Sequence, residues 1–272
     1  MPVLTLLAVP LLAASLLGGL LLGRAVQDAL SAQRAAELAN VTSDPLVAAE
    51  ALQDERDTTA LNGGKVLAAG VTDARAATDS AVRTLQGALD DLTTTGLPEE
   101  TKTALNALDR QLESLPEIRT EQDYQQQPFD TTGVQSYLQP IRAIGNAIGQ
   151  MSIVDPRVAV PVEALTVLGE AAEQASTERA LTAWILQRGE LATPEQAQTI
   201  GALRDSQDNL IDRVYDRLPS APLVEFKDGL AVVRGPMASA RSTFSDATTP
   251  GVMSADDWYR AATDRVNVPR TT

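Results

Sequence analysis

Two glutamate–arginine pairs are the residues of this chain best suited to chemistry. Residues 55–60 read Glu-Arg-Asp-Thr-Thr-Ala and residues 178–183 read Glu-Arg-Ala-Leu-Thr-Ala, so the pattern E-R-x-x-T-A occurs twice, 123 residues apart. A guanidinium presents its N–H donors as a planar fork, which suits planar oxyanions. Arg56 and Arg179 are therefore candidate ligands for a small oxyanion. The repeated threonines, three residues further on, are candidate supporting donors through their hydroxyl groups: Thr59 and Thr182.

The helical neighbours of each arginine leave its charge without a local partner. On a helix, each arginine falls within a stripe of small or apolar residues, and no residue three or four positions away is acidic. A buried unpaired charge is costly, so each guanidinium needs a carboxylate from another helix, a route to water for its long side chain, or a bound anion. Because the chain has 36 acidic residues, interhelical salt bridges are a serious alternative to an anion site.

Composition excludes several classes of function. The chain has no histidine and no cysteine, so histidine acid–base chemistry, histidine metal ligation, thiolate chemistry and disulfides are all excluded. A net charge of −14 makes nucleic acid a poor partner. The acidic pairs lack partners at metal-binding spacing, and no catalytic constellation is present. We therefore expect no enzyme, no metal and no cofactor.

The elements that position the arginines are predicted to be helices throughout. Aromatic residues make up only 3% of the chain, which favours closely packed helices over a β-sandwich. A helix is predicted to run from the Thr-Ser-Asp-Pro start signal at residues 42–45 to about Asn62, before two glycines. Proline, glycine and glutamine-rich breaks separate the further predicted helices, at about 72–93, 98–115, 131–151, 157–188, 194–217, 221–243 and 254–267.

The N-terminal segment is predicted to be a membrane anchor. Residues 3–23 form a run of 21 residues without a charge, long enough to cross a bilayer as a helix. A cleaved signal segment is the alternative, although nothing basic precedes the run and the run is longer than usual. Residues 1–24 are thus assigned as the anchor. Alanines recurring at steps of four and three predict a connecting helix over 25–41.

Three motifs resemble the nitrate- and nitrite-sensing domain of bacterial receptors, especially the extracytoplasmic region of actinobacterial sensor histidine kinases. The first is residues 52–57 (LQDERD). The second extends from residues 137–148 (YLQPIRAIGNAI) through 162–165 (VEAL) to 178–181 (ERAL). The third is residues 257–263 (DWYRAAT). The resemblance covers about residues 42–268.

The resemblance implies a sensor built from two stacked antiparallel four-helix bundles, with possible halves at 42–155 and 156–268. It also implies that Arg56 and Arg179 hold nitrate or nitrite, although the residue after the first arginine is often glycine in the family and is Asp57 here. It further implies a homodimer at the cell membrane, with a kinase or other output module in the full-length protein.

These observations predict the extracytoplasmic, membrane-anchored sensor region of a signalling protein that binds nitrate, nitrite or a related small anion. Without the anion, the two arginines are expected to repel each other. Two alternatives stay open: a helical sensor for another small acid, and a structural or interaction module whose arginines are held in salt bridges. Because the two motifs lie in different predicted halves, the sequence leaves open whether they form one site.

Overall fold

The computed structural model describes residues 43–65, 68–92, 97–124, 131–154, 159–218 and 220–271. Helices joined by turns account for these ranges, without a strand, so the all-α prediction is confirmed for them. Residues Ser43–Thr272 form one compact unit. The predicted anchor, 1–24, and the predicted connecting helix, 25–41, lie outside the described residues. Within the described ranges, no helix has an apolar stretch that would let it cross a membrane.

The described helices are labelled in chain order. They are α1 (43–61), α2 (Ala69–Asp91), α3 (Glu99–Glu113), α4 (Leu115–Tyr124), α5 (Thr131–Ser136), α6 (Leu138–Val154), α7 (Ala159–Gln187), α8 (Pro194–Arg217), α9 (Ser220–Ser245) and α10 (Ala255–Thr271).

Two departures from the predicted helices bear on function. The sequence predicts a break between 115 and 131, but α4 occupies Leu115–Tyr124. Proline is tolerated in the first turn of a helix, where its missing N–H would be unpaired anyway, so Pro116 does not prevent this helix. The predicted C-terminal helix ends at 267, whereas α10 continues through Pro269 to Thr271. Both additions carry an arginine of the buried network described below.

Helices α7 to α10 run alternately up and down around shared apolar clusters. One cluster joins Val167 and Leu168 of α7 to Phe226 of α9 and Val268 of α10. The other joins Ala183 of α7 to Met237, Ala240, Trp258 and Ala262. Since residues early in α7 meet residues late in α10, and the reverse, these two helices are antiparallel.

Helices α1 and α7 lie side by side and run in the same direction. Their contacts advance together along the chain: Gln53 meets Glu173, Asp57 meets Ser176, and Gly63 approaches Gln187. This register brings the two E-R-x-x-T-A copies to the same level of the fold. Helices α2 and α4 approach α1 through Glu55, and α6 and α10 pack against α7.

The two repeat-bearing helices also end in the same way. The N–H of Gly64 donates to the carbonyl of Thr59, and that of Gly63 to Ala60. After α7, Glu190 and Gly189 repeat this pair of bonds to residues 185 and 186. The turn needs a left-handed residue, and both Gly63 (φ 61°) and Gly189 (φ 65°) supply it. The duplication noted in the sequence therefore extends to the helix ends.

Candidate functional site

The two predicted arginines lie together in one buried cluster. Arg56 on α1 is 0% exposed and Arg179 on α7 is 2% exposed, in the interface between the two helices. Their position follows from the sequence, since each interrupts the apolar face by which its helix packs. A carboxylate between them hydrogen-bonds to both guanidinium groups.

Asp57 is that carboxylate. Its Oδ1 accepts from Nε of Arg56 at 2.8 Å, and its Oδ2 accepts from Nε of Arg179 at 2.8 Å. Nη2 of Arg179 lies 2.8 Å from the same Oδ2, and the hydroxyl of Ser176 donates to it at 2.6 Å. Asp57 is 0% exposed, so these bonds form away from water. The expected repulsion between the arginines is therefore offset in this chain by an internal carboxylate.

The rest of the Arg56 fork is taken up by α7. Its Nη1 donates to Oε1 of Glu173 at 2.6 Å, and its Nη2 donates to the hydroxyl of Ser176 at 2.8 Å. Glu173 also accepts from the amide of Gln53 and the hydroxyl of Thr177, both at 2.8 Å. Arg56 is thus held by a residue of its own helix and by two residues of α7.

The rest of the Arg179 fork is directed to α10 and back to α1. Nη1 donates to the hydroxyl of Thr263 at 3.0 Å, and Nη2 to Asp54 at 3.1 Å. The ring of Tyr259 stacks on the guanidinium, with its centre 4.7 Å from the central carbon. Arg270 adds a further link, because it donates to Gln53 and Asp54. Three helices, α1, α7 and α10, therefore meet at the arginines.

The buried charges of the site balance. Burial lowers the pKa of Arg56, but the charges of Asp57 and Glu173 outweigh that effect and leave the pKa raised. Burial is the largest single effect on the pKa of Arg179 and lowers it, but Asp57, Tyr259 and Asp54 together raise it by more, so the pKa is raised. Both guanidinium groups therefore stay charged, and two buried cations face two buried carboxylates.

The glutamate of the first repeat has a separate role. Glu55 is 0% exposed and turns away from Arg56 towards the other side of α1. It receives Nε and Nη2 of Arg119 on α4 at 2.8 and 2.7 Å, and Arg75 on α2 lies at 3.7 Å. The phenol of Tyr137 donates to it at 2.8 Å. Burial, and next the charge of Glu55, raise the pKa of Tyr137 well above its ordinary value.

The glutamate of the second repeat is held in the same way. Glu178, also 0% exposed, accepts from Nε of Arg204 on α8 at 2.7 Å and from Nε of Arg241 on α9 at 3.0 Å. The amide of Gln207 donates to it at 2.9 Å. Glu178 is thus hydrogen-bonded by two arginines and Glu55 by one, with Arg75 at 3.7 Å, while Arg56 and Arg179 meet between them.

The hydroxyl groups of Thr59 and Thr182 make no hydrogen bond to Arg56 or Arg179 within the described residues. The hydroxyl of Thr59 donates to the carbonyl of Glu55 in its own helix at 2.7 Å. The hydroxyl of Thr182 is buried and finds no hydrogen-bonding partner within the part of the chain that the structure describes. Their predicted support of an anion stays a prediction.

A cavity of about 400 Å³ lies beside the site, between α1, α6, α7 and α10. Apolar residues such as Ile144 and Leu168 line most of it, and Gln53, Glu173 and Arg270 line the side towards the arginines. Neither Arg56 nor Arg179 lines this cavity. Glu173 and Gln53 therefore separate it from the buried fork of Arg56.

Sequence reasoning missed most of the partners of the arginines. The sequence marks Asp57 only as a departure from the family pattern. A helical wheel does not show that its side chain can bond to the adjacent Arg56. Glu173, Ser176, Thr263 and Arg270 gave no signal, since their role depends on the register between helices. Tyr259 lies in the third family motif, residues 257–263, so the motif is the sequence signal that points to its contact with Arg179.

Comparison with known proteins identifies the family and supports the fold. The model of a family described as nitrate and nitrite sensing matches residues 47–271. The structure of the NasR transcription antiterminator is similar, with a TM-score of 0.73 and 20% sequence identity over 86% of this chain and 65% of that chain. At that identity the likeness shows the fold, and it extends over less than two thirds of the NasR chain. Among curated proteins, none matches the sequence. Since the family match covers most of the chain, the resemblance read from the motifs is confirmed, and the chain belongs to the nitrate and nitrite sensing family.

Proposed function

We propose that this chain is a sensor that binds nitrate or nitrite between Arg56 and Arg179. The observation that carries the proposal is the convergence of two buried guanidinium forks and a serine hydroxyl on one planar pair of oxygens. Nitrite and nitrate present planar oxygens of the same kind, which such forks bind bidentately. Membership of the family supports this choice of anion.

The signal is a movement of α1 and α10 relative to α7. These helices meet at the arginines through Asp54, Thr263 and Arg270. An anion that binds more tightly to one arrangement of the three helices shifts the population towards that arrangement. In the proposed full-length protein, the two stacked four-helix bundles are extracytoplasmic and dimeric. Residues 1–41 anchor the sensor and pass the movement to a kinase or other output module.

Titration calorimetry tests the binding proposal. The full chain, kept in a mild detergent because of its apolar N-terminus, is titrated with sodium nitrate, nitrite and chloride. Saturable heat is expected for nitrate or nitrite and not for chloride. A folded protein that responds to all three salts alike contradicts the proposal.

Lysine variants of Arg56 and Arg179 test whether the guanidinium groups of these residues bind the anion. Arg56→Lys and Arg179→Lys keep the charge but cannot form the bidentate fork, so both are expected to lose the saturable heat. The exposed Arg213→Lys is the matched control and should bind as the unmodified chain does. Variants with lysine at both buried sites that still bind nitrate with unchanged affinity would exclude this site.

A second candidate function is a structural module that binds no anion, and one observation favours it. The buried arginines and the carboxylates of Asp57 and Glu173 already form a neutral set of salt bridges. A sensor for a small organic acid is a third, because the site already accommodates a carboxylate. Titration with acetate and formate beside nitrate separates the three: no binding favours the module, and preference for the organic acids favours the third.

A further inference from the structure

We infer that Asp57 is a built-in competitor that occupies the oxyanion site, so that nitrate or nitrite binds only by displacing this carboxylate. The inference rests on the proposed function and concerns the regulation of the same site. It starts from the donors: two arginines and Ser176 all converge on the oxygens of Asp57, at 2.6 to 2.8 Å. This is the donor set that a free planar oxyanion would receive.

The charge balance explains why displacement is required. Arg56 and Arg179 are balanced by Asp57 and Glu173, all within the buried interface. An additional anion would leave the buried set with an excess negative charge, which a low-dielectric interior opposes. Binding therefore has to release one carboxylate from the arginines.

Asp57 is the carboxylate that the anion replaces, because among the described acidic residues it alone is ion-paired with both arginines. Glu173 contacts Arg56 and is fixed by Gln53 and Thr177. Asp54 contacts Arg179 from the edge of the site, and its side chain is 51% exposed. An anion in place of either one would leave Asp57 between the arginines and would touch only one fork.

The second repeat supports this assignment. The residue after its arginine is Ala180, which is buried and carries no charge. The duplicated scaffold therefore tolerates a small residue directly after the arginine, and the carboxylate at 57 is a feature of the first copy only. The residue at this position sets how much anion the sensor needs before it responds.

The test compares nitrate binding by the full chain with binding by Asp57→Ala. The variant removes the competitor and leaves both forks in place. We expect its affinity for nitrate or nitrite to be at least about tenfold tighter than that of the unmodified chain. Its unfolding temperature should be low in chloride and should rise saturably with nitrate, because a ligand that binds the folded state stabilises it.

Glu190→Ala is the control for net charge. It removes a half-exposed carboxylate that pairs with Arg188 and contacts neither buried arginine, so its nitrate affinity should stay within about threefold of the unmodified chain. An equal gain in Glu190→Ala and Asp57→Ala would overturn the inference, since general loss of negative charge would then explain both.

The outcomes separate the inference from the proposed function. Equal nitrate affinity in the unmodified chain and Asp57→Ala overturns the inference and leaves the sensor intact. Binding by Asp57→Ala alone upholds the inference and overturns nitrate sensing by the unmodified chain. Binding by neither, in folded samples, overturns both.

A folding defect does not remove the test. If Asp57→Ala is unfolded in chloride, recovery of helical structure in nitrate is the expected result, measured by circular dichroism. Asp57→Ser, which is small and keeps a polar group, is the second variant. Failure of nitrate to restore Asp57→Ala, together with absence of binding by a folded Asp57→Ser, would overturn the inference.

Discussion

The two copies of the E-R-x-x-T-A pattern agree in their glutamates and differ in the residue that follows their arginines. Glu55 and Glu178 are each buried and each clamped by two arginines of neighbouring helices. Asp57 accepts hydrogen bonds from Arg56 and Arg179, whereas Ala180, the residue at the same position of the second copy, carries no charge. The shared glutamates therefore join neighbouring helices, and the unshared Asp57 joins the two arginines.

The largest loss of stability is expected on replacing the two shared glutamates, Glu55 and Glu178. Glu178→Gln removes the carboxylate bonded to Arg204 and Arg241, and removing one member of a buried ion pair costs about 3 kcal/mol. Glu55→Gln should cost somewhat less, because Arg119 keeps its bond to Asp79 and Arg75 keeps its bonds to Asp123. Urea denaturation should show a clear loss of unfolding free energy in both variants. If either variant lost almost none, the two glutamates would not be structural equivalents.

A smaller loss is expected at the unshared carboxylate. Asp57→Asn removes a buried charge that bridges two cations, and we expect a loss of about 2 kcal/mol in chloride. Asp54→Asn, at a half-exposed position beside the same arginine, should cost roughly 0.5 kcal/mol because water screens its charge. The reverse order of the two losses in urea denaturation would show that Asp57 does not hold the arginines together.

The two glutamates differ in their uncharged partner. Glu55 accepts a hydrogen bond from the phenol of Tyr137, whereas Glu178 accepts one from the amide of Gln207. Tyr137→Phe should lower the free energy of unfolding by about 1.5 kcal/mol, the lower end of the range for a hydrogen bond to a charged group. The raised pKa of Tyr137 means that the folded chain holds this proton more tightly than the unfolded chain. Its stabilisation is therefore complete below the ordinary pKa of 10.0 and is lost as the pH rises above it.

Denaturation at several alkaline pH values measures this loss as the difference between the unmodified chain and Tyr137→Phe. The difference should shrink as the pH rises above 10.0. A difference that does not change with pH would show that the phenol titrates alike in the folded and unfolded chain.

The smallest effect is expected at an exposed ion pair. Arg213 of α8 and Glu170 of α7 lie 3.1 Å apart, and both side chains are about half exposed. Arg213→Ala should change stability by no more than about 0.5 kcal/mol. A larger loss would mean that surface pairs contribute as much as the buried clamps, and the comparison of the two motifs would lose its meaning.

The part of the site that lies along one helix was predictable from the sequence, and the part that depends on register between helices was not. The apolar stripes predict that Arg56 and Arg179 are buried, and the spacing of the repeat predicts that they are equivalent. The pairing of Arg56 with Glu173 depends on how α1 lies against α7. Arg119 lies between the predicted helices 98–115 and 131–151, so its pairing with Glu55 had no signal in the sequence.

The central claim is that Arg56 and Arg179 form one oxyanion site with Asp57 in it. Crystal structures of the unmodified chain and of Asp57→Ala, both grown in sodium nitrate, test it most directly. We expect planar density for nitrate between the two guanidinium groups of Asp57→Ala, in the position that the Asp57 carboxylate occupies in the unmodified chain. Separated arginines with no anion between them, or nitrate bound elsewhere in the variant, would contradict it.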